Sequence, residues 1–313
     1  MRLQRHLDPP RADGAGFVAT IGGFDGLHLG HQALIHRTRE AAAGLGCRSL
    51  LVTFEPLPRE YFAQGDPPAR LTSFRERWRH LSRFGLDTFC VLRFDRELRN
   101  QSAEAFAEML ARGGIRRVVV GHDFRAGKGA EGDVDFLRRA GADLGFELEV
   151  LPPVCDGTGR ISSRTLRQQL QAGDLEGARR GLGRRYSMIG RVYRGQQLGR
   201  TLGFPTANLR LDRRRSPIAG IFAVRVHGAV AGRAADGVAS LGTRPTVGGT
   251  VPLLEAHLFD FAGDLYGREL EVEFVARLRD ELKFASVDAM VVRMHRDAAE
   301  AREALREERG ESG

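Results

Sequence analysis

Lysine is almost absent from this chain. Of 48 Lys and Arg residues, only Lys128 and Lys283 are lysine; the rest are arginine. With abundant alanine and glycine, that skew reads as a compositional bias. Net charge is +8, but 40 acidic residues are interspersed with the arginines, and no long basic block results. A mixed-charge surface is therefore expected, with no nucleic-acid partner, although a basic cleft would suit phosphorylated small molecules. Cysteine is also scarce. Cys47, Cys90 and Cys155 form neither a metal-ligand spacing nor an even disulfide set. Cys47 and Cys90 fall in apolar strand-like runs and read as buried, inert thiols. No apolar run approaches the roughly 20 residues that span a bilayer. Residues 1–6 lack the apolar core of a signal segment, so the expectation is a cytoplasmic protein with no membrane partner. Internal repeats and low-complexity tracts are missing as well. What is present is 313 residues with 42% hydrophobic and 28% charged composition, enough for one large or two ordinary domains with real cores.

The first half alternates strand and helix patterns. Strands are expected at 17–21, 49–54, 87–94, 117–120 and 146–151, and helices at 31–43, 73–84, 102–112 and 133–144. Glu55-Pro56-Leu57-Pro58 cannot continue a ladder and reads as a loop. This alternation implies an α/β domain with a mainly parallel sheet, covered on both faces, whose ligands lie beyond the carboxyl ends of the strands. A helical pattern then runs from 162 toward 180. From 188 onward the period changes to two, with strands expected at 189–193, 221–226, 237–241, 253–259 and 270–275. Val226-His227-Gly228-Ala229-Val230 reads as a hairpin and 263–267 as a tight turn. Short strands at this spacing suggest an antiparallel β-barrel, closed by one charged helix over 286–308. The boundary is placed at Gly181-Leu182-Gly183, giving domains 1–183 and 184–313.

The sharpest motif is Gly22-Gly23-Phe24-Asp25-Gly26-Leu27-His28-Leu29-Gly30-His31, between the first strand and the first helix. Glycines let a ligand approach the backbone. The helix behind them offers unpaired N–H groups and a positive dipole end to phosphate. Two imidazoles three residues apart, with Gly30 between, can donate hydrogen bonds to charge that builds on an α-phosphate as pyrophosphate leaves. No protein nucleophile is needed, because positioning and charge stabilisation carry such a transfer. The motif therefore indicates an ATP-using nucleotidyl transferase.

A second segment, Gly121-His122-Asp123-Phe124-Arg125-Ala126-Gly127-Lys128-Gly129, resembles a P-loop. Its first glycine is one residue too far from Gly127-Lys128, and Gly129 replaces the hydroxyl residue that would meet Mg²⁺. A flexible loop closing over a ligand fits better. In a third segment, Arg160-Ile161-Ser162-Ser163-Arg164-Thr165-Leu166-Arg167, the hydroxyls and helix-start amides suit either a triphosphate or an ordinary serine cap. In the second half, Thr206 and Asn208 offer neutral oxygens at i, i+2, on one face if the segment is extended; a turn built on Pro205 is the alternative. Glu255 lies on a strand whose neighbours Leu254, Ala256 and Leu258 face the other side, which by pattern alone allows a merely solvated carboxylate. Arg279 and Lys283 suit either a surface role or a closing loop over phosphate or flavin.

Together these segments resemble the prokaryotic bifunctional riboflavin kinase/FMN adenylyltransferase (FAD synthetase) family. The second-half matches are Leu198-Gly199-Arg200-Thr201-Leu202-Gly203-Phe204-Pro205-Thr206-Ala207-Asn208-Leu209, the run Gly237-Val238-Ala239-Ser240-Leu241-Gly242-Thr243-Arg244-Pro245-Thr246, Leu254-Glu255-Ala256-His257-Leu258-Phe259-Asp260-Phe261, and Arg279-Asp280-Glu281-Leu282-Lys283-Phe284. The resemblance spans about residues 17–300. It implies that a flavokinase-like C-terminal barrel phosphorylates riboflavin to FMN with ATP and Mg²⁺. A Rossmann-like N-terminal nucleotidyltransferase domain then adenylylates FMN with a second ATP, giving FAD and pyrophosphate. By the same resemblance, His28, His31 and Glu255 are catalytic, Glu255 as general base for the ribityl 5′-hydroxyl. Nucleotide contacts fall to Gly22, Phe24, Asp25, Gly30, Asp123, Arg160, Ser162, Ser163 and Thr206. Flavin contacts fall to Phe124, Lys128, Arg279 and Lys283, and metal contacts to Thr206 and Asn208. The chain departs from the family pattern at Leu57, where histidine is usual, at Arg164, where serine or threonine is common, and at Ala126, where an aromatic is common.

Two rivals are weaker. His28-Leu29-Gly30-His31 also fits class I aminoacyl-tRNA synthetases, but no lysine-rich second signature is present and the C-terminal half reads as a small barrel. A non-catalytic flavin-binding module would not need His28, His31, Thr206, Asn208 and Glu255 together.

Overall fold

The computed structural model describes residues 1–7, 15–157, 159–195, 199, 202–246 and 249–310. Leu198, Arg200 and Thr201 of the flavokinase-like motif lie outside them. The chain forms two compact units. The first comprises Met1–Pro68 and Arg77–Ser162, the second Ala69–Glu76 and Ser163–Gly313.

The first unit is built on a parallel six-stranded sheet. Its strands are β1 (Arg2–Gln4), β2 (Phe17–Ile21), β3 (Arg48–Glu55), β4 (Thr88–Arg93), β5 (Ile115–Gly121) and β6 (Glu147–Leu151), in the order β1-β4-β3-β2-β5-β6. Every residue of β2 is buried, as an unbroken apolar run in a sheet covered on both faces requires. Phe17, Ala19 and Ile21 pack with Phe106, Leu110 and Leu137, while Val18 packs with Ala41, Ala42 and Val119. The helices begin where their caps dictate. Ser102 accepts from the Ala105 N–H at the start of α5 (Ala103–Arg112), and Asp133 from the Phe136 N–H at the start of α6 (Val134–Leu144). Gly145, at φ 83°, ends the latter. The Pro56–Pro58 loop is shorter than expected, because Pro58 opens the short helix α2 (Pro58–Tyr61). Strand β1 carries no apolar pattern and is absent from the sequence expectation.

The second unit is a closed antiparallel barrel in the order β10-β13-β12-β11-β14-β9. Its strands are β9 (Ser187–Tyr193), β10 (Ala207–Leu211), β11 (Gly220–Val230), β12 (Arg233–Thr246), β13 (Gly249–Leu258) and β14 (Glu269–Arg279). Val192, Leu209, Phe222, Val224, Leu241, Leu254, Ala256, Val272 and Phe274 share its core. On the period-2 strands, the alternate residues Thr206, Asn208 and Glu255 then fall on the outer face. Helix α9 (Val287–Glu308) starts at the Ser286 cap and packs against β11, β12 and β14.

Two local expectations need correction. Val226–Val230 is not a hairpin turn but lies inside β11, where the register shifts; the chain turns at residues 231–232. A glycine between apolar residues suggests a turn, but Gly228, at φ 90°, serves an irregular strand in which a Cβ would lie 2.9 Å from the Glu269 carbonyl. The helical pattern over 162–180 is two helices, α7 (Ser163–Ala172) and α8 (Leu175–Leu182), split at Gly173 (φ 81°) and restarted by the Asp174 cap. The sequence draws the domain line at 183, whereas the compact units divide after Ser162. Leu166, Leu170, Leu175, Ala178 and Leu182 sit in the same core as Met188, Val192 and Leu209, so α7 and α8 group with the barrel.

Candidate active sites

In the first unit, β2 ends at Ile21 and the chain turns sharply before α1 (Leu29–Gly44). Phe24 (φ 48°), Gly26 (φ 88°) and Leu27 (φ 49°) adopt left-handed backbone, and Phe24 and Leu27 are buried while doing so. Non-glycine residues hold that conformation only where the surroundings over-determine it, which is common at binding sites. His28 is the N-cap of α1. Its Nδ1 accepts the His31 N–H at 3.3 Å, which puts the ring proton on Nε2 in the neutral tautomer. The two imidazoles stack with centroids 3.7 Å apart and planes 19° apart, and Phe24 lies 4.9 Å from the His31 ring. Burial lowers the His28 pKa to about 4, with Arg160 adding to the fall and Asp25 and Asp123 opposing it. His31 is held well below the usual range, first by burial and then by His28, Arg59 and Arg77. Both rings are therefore neutral at pH 7. His31 Nδ1 is buried with no hydrogen-bond partner among the described residues.

The other two segments of this unit meet at one ion pair: Arg160 Nη2 donates to Asp123 Oδ2 at 2.6 Å. Burial pushes the Asp123 pKa up, but the Arg160 hydrogen bond and charge outweigh it, and the net shift is downward. Phe124 packs against the sheet core. The loop expected to be flexible is instead stapled. Ala126 and Gly132 form a two-way backbone bridge, the Lys128 N–H donates to the Gln101 carbonyl at 2.8 Å, and Glu131 accepts from the Ala103 N–H at 3.1 Å. Gly127 is required there, since a Cβ would lie 2.6 Å from the Ala103 nitrogen. Lys128 itself is exposed. Ser162 closes the first unit, and Ser163 opens α7 in the second.

In the second unit, β10 pairs Asn208 with Glu255 of β13, and β12 pairs Ser240 with Glu255. Thr206, Asn208 and Glu255 line one cavity of about 410 Å³, with Phe204, Leu282, Phe284, Met290 and Met294 supplying apolar walls. Two glycines make room: a Cβ on Gly195, just before the motif, would lie 2.7 Å from the Asn208 amide, and one on Gly199, within it, 2.3 Å from the Phe204 carbonyl. Arg279 does not project as a free cation. Its guanidinium grips Asp297 of α9, Nε to Oδ1 at 2.8 Å and Nη2 to Oδ2 at 2.5 Å. Lys283 is exposed in the following loop.

Comparison with known proteins identifies the family of the chain. The family model for FAD synthetase matches residues 11–165, and that for riboflavin kinase matches residues 182–305. The chain is 45% identical over 306 residues to a bifunctional riboflavin kinase/FMN adenylyltransferase of Pseudomonas fluorescens, covering 96% of this chain and 97% of that one. It is 42% identical to the protein of that name from Escherichia coli K12, covering 92% of each. The chain belongs to the bifunctional riboflavin kinase/FMN adenylyltransferase family. A crystal structure described as a macrolide-efflux protein from Streptococcus pneumoniae is similar across 94% of this chain, with 30% identity and a TM-score of 0.80. That description is said of the other protein; among the described residues here, no helix is long and apolar enough to cross a membrane.

The bifunctional enzyme thus phosphorylates riboflavin to FMN with ATP, and adenylylates FMN to FAD with release of pyrophosphate. Sequence reasoning missed several residues that shape its adenylyltransferase half. Phe54, Tyr61, Phe62 and Phe94 form an aromatic cluster with centroids 5.3–5.8 Å apart at the carboxyl ends of β3 and β4. Arg99 lies over both Tyr61 and Phe62. The density of aromatics around Pro56, just past a strand end, was the available signal. Arg77 of α3 (Phe74–Leu81) is fully buried and donates to the Gly23 carbonyl at 3.1 Å, Thr53 Oγ1 at 3.2 Å and Glu55 Oε2 at 2.6 Å. It holds the glycine turn against β3. Leu57, where the family usually has histidine, is buried 3.7 Å from the Cβ position of Gly23.

Proposed function

We propose that adenylyl transfer is carried out at the His28–His31 site and riboflavin phosphorylation at the Thr206–Asn208–Glu255 face. The activities divide by chemistry as residues 1–183 and 184–313, although α7 and α8 pack with the barrel. The observation that carries this reading is the fixed neutral tautomer of His28 at the start of α1. Its Nε2–H donates to the α-phosphate of ATP without giving up a proton. The FMN phosphate oxygen attacks the α-phosphorus, the bond to the β-phosphate oxygen breaks, and pyrophosphate leaves. His28, His31 and the α1 N-terminus meet the charge that builds. Gly22, Phe24, Asp25 and Gly30 shape the phosphate turn, while Asp123, Arg160, Ser162 and Ser163 complete the nucleotide contacts. Phe124, Lys128 and the Tyr61–Phe94 cluster offer faces and charge for FMN.

At the barrel, Glu255 accepts the proton of the ribityl 5′-hydroxyl as that oxygen attacks the γ-phosphorus of ATP, the bond to the β–γ bridging oxygen breaks, and ADP leaves. Thr206 and Asn208 would hold Mg²⁺. Among the described residues no group of three or more His, Cys, Asp or Glu could cage a metal. Two neutral oxygens beside Glu255 suit an ion carried mainly by ATP phosphates and water. Held there, the ion would supply positive charge to the transferred phosphoryl group. Lys283 and the Arg279 loop face the flavin. Both substrates are small molecules of the cell interior, which supports a cytoplasmic enzyme.

Flavin chromatography after incubation with riboflavin, ATP and Mg²⁺ tests the assignment. His28→Ala should accumulate FMN with little FAD. Glu255→Ala should stop FMN formation yet still adenylylate supplied FMN. Loss of both reactions in either folded variant would overturn the two-site reading.

A further inference from the structure

We propose that Asp297 is a positioning residue of the riboflavin kinase site, which acts through Arg279 to hold the 279–284 loop where riboflavin binds. This rests on the reading that the barrel cavity takes the flavin. Asp297 is only 3% exposed, and it is the one carboxylate that α9 contributes to the cavity lining. It receives three hydrogen bonds from two guanidiniums: Arg279 Nε at 2.8 Å, Arg279 Nη2 at 2.5 Å and Arg293 Nε at 2.8 Å. Arg293 also donates to Glu300 at 3.1 Å, and Arg279 Nη1 donates to the Asp280 carbonyl at 2.7 Å. Every nitrogen of Arg279 is therefore engaged by protein. Its charge is matched by Asp297, so it adds no net charge for a triphosphate to seek.

What the pair does is mechanical. The loop after β14 sits tightly on glycine backbone: a Cβ on Gly220 would lie 2.5 Å from the Arg279 carbonyl, and one on Gly242 would run into the Glu281 carboxylate. These glycines permit the docked position but do not hold it. Asp297 does, by tying the end of β14 to α9 with a bidentate, charge-assisted contact. From that anchored loop Leu282 and Phe284 line the cavity, together with Met290 and Met294 of α9. Arg279 lies 5.9 Å over the Phe284 ring. Apolar and aromatic walls suit a flat tricyclic ring, whereas ATP phosphates call on Thr206 and Asn208. Loosening the loop should therefore weaken riboflavin and spare ATP.

The test compares Asp297→Asn, Arg279→Met, the double variant and Glu255→Gln. Riboflavin binding is followed by quenching of its own fluorescence, and kinase constants are measured for each substrate. Asp297→Asn should raise the riboflavin Kd and KM about tenfold, the scale of one charge-assisted hydrogen bond. The ATP KM should stay within about twofold, and the double variant should be no worse than the worse single variant, because the two residues act as one unit. Adenylylation of supplied FMN serves as a control for folding of the rest of the chain. If Asp297→Asn does not fold, Arg279→Met carries the test, since Arg293 still pairs with Asp297 there. Unchanged riboflavin affinity, a parallel rise in ATP KM, or multiplicative losses in the double variant would each overturn the proposal. Glu255→Gln separates this from the underlying reading. If it still phosphorylates riboflavin, the cavity is misassigned; if it binds riboflavin without turnover, the reading stands and Asp297 is judged alone.

Discussion

His28 caps the helix that carries His31, and the two rings stack with centroids 3.7 Å apart. One hydrogen bond, from the His31 N–H to His28 Nδ1, thus starts α1 and fixes the neutral tautomer of His28. Anything that moves the His28 ring should harm both. The residue placed to do so is Gly30.

A methyl group at position 30 would lie 3.1 Å from both Cε1 and Nδ1 of His28. Gly30→Ala keeps an allowed helical backbone, so the strain falls on the ring. Loss of the cap should cost about 1 kcal/mol. Displacement of the donor should lower kcat for FAD formation from FMN by roughly 10²-fold. Riboflavin phosphorylation should be unchanged, and chromatography of both products checks the split.

The pKa shifts make the first unit sensitive to acid. His28 has an ordinary value of 6.5 when unfolded and about 4 when folded, chiefly through burial. Between those values the unfolded chain binds a proton that the folded chain does not. The associated stability is full above pH 6.5 and is lost as pH falls toward 4. His28 alone contributes on the order of 3 kcal/mol over that window, and His31 acts in the same direction. Hydrogen-exchange protection factors of the α1 amides, corrected for the intrinsic pH dependence of exchange, should fall between pH 7.5 and 4.5. His28→Asn, which keeps an acceptor for the cap, should flatten that dependence; an unaltered slope would mean that His28 is not the buried neutral group.

How much of this was legible in the sequence depends on the range of the interaction. The run Phe17–Ile21 and the period-2 segments around Leu209, Leu254 and Val272 record burial directly, so the sheet and the barrel could be read from them. The histidine motif was equally plain, because strand, glycines and helix start are contiguous. Arg77 and Asp297 were not. Each is a charged residue on a helix and looks like part of a solvated face, and only the fold brings it to Glu55 or to Arg279. Phe94 joins Phe54 and Tyr61 only because β3 and β4 are neighbours. Strand β1 is only three residues, Arg2-Leu3-Gln4, with none buried, and it leaves no pattern to find.

Arg77 illustrates the cost of such hidden charges. It is 0% exposed and braces Gly23, Thr53 and Glu55. Arg77→Met removes the donor to the Gly23 carbonyl, Thr53 and the partly exposed Glu55 carboxylate, which should destabilise the first unit by about 1–3 kcal/mol. Arg77→Lys keeps the charge but cannot make the same set of contacts, and should fall between. Urea unfolding gives the ranking. FAD formation should fall more steeply than riboflavin phosphorylation, because the brace supports the glycine turn.

The second unit contains a comparable device, and its two partners should not be equivalent. Glu76 accepts the Ser73 N–H and the Ile189 N–H, each at 2.7 Å, and pairs with Arg213 through both carboxylate oxygens. Arg213 also donates to Tyr186 Oη at 2.8 Å and to the Arg70 carbonyl at 3.2 Å. Glu76→Ala removes acceptors from two backbone N–H groups and leaves a buried guanidinium with neutral partners only. Arg213→Met leaves Glu76 with its two backbone donors. The glutamate variant should therefore be the more costly, by about 3–5 kcal/mol against a smaller loss for the arginine variant. With both replaced, no charge is stranded, and the double variant should be more stable than the sum of single losses by about 1–3 kcal/mol. Denaturant midpoints of the four proteins measure this directly. Simple additivity would mean that the ion pair does not hold residues 69–76 to the barrel, and that the backbone contacts of Glu76 alone do so.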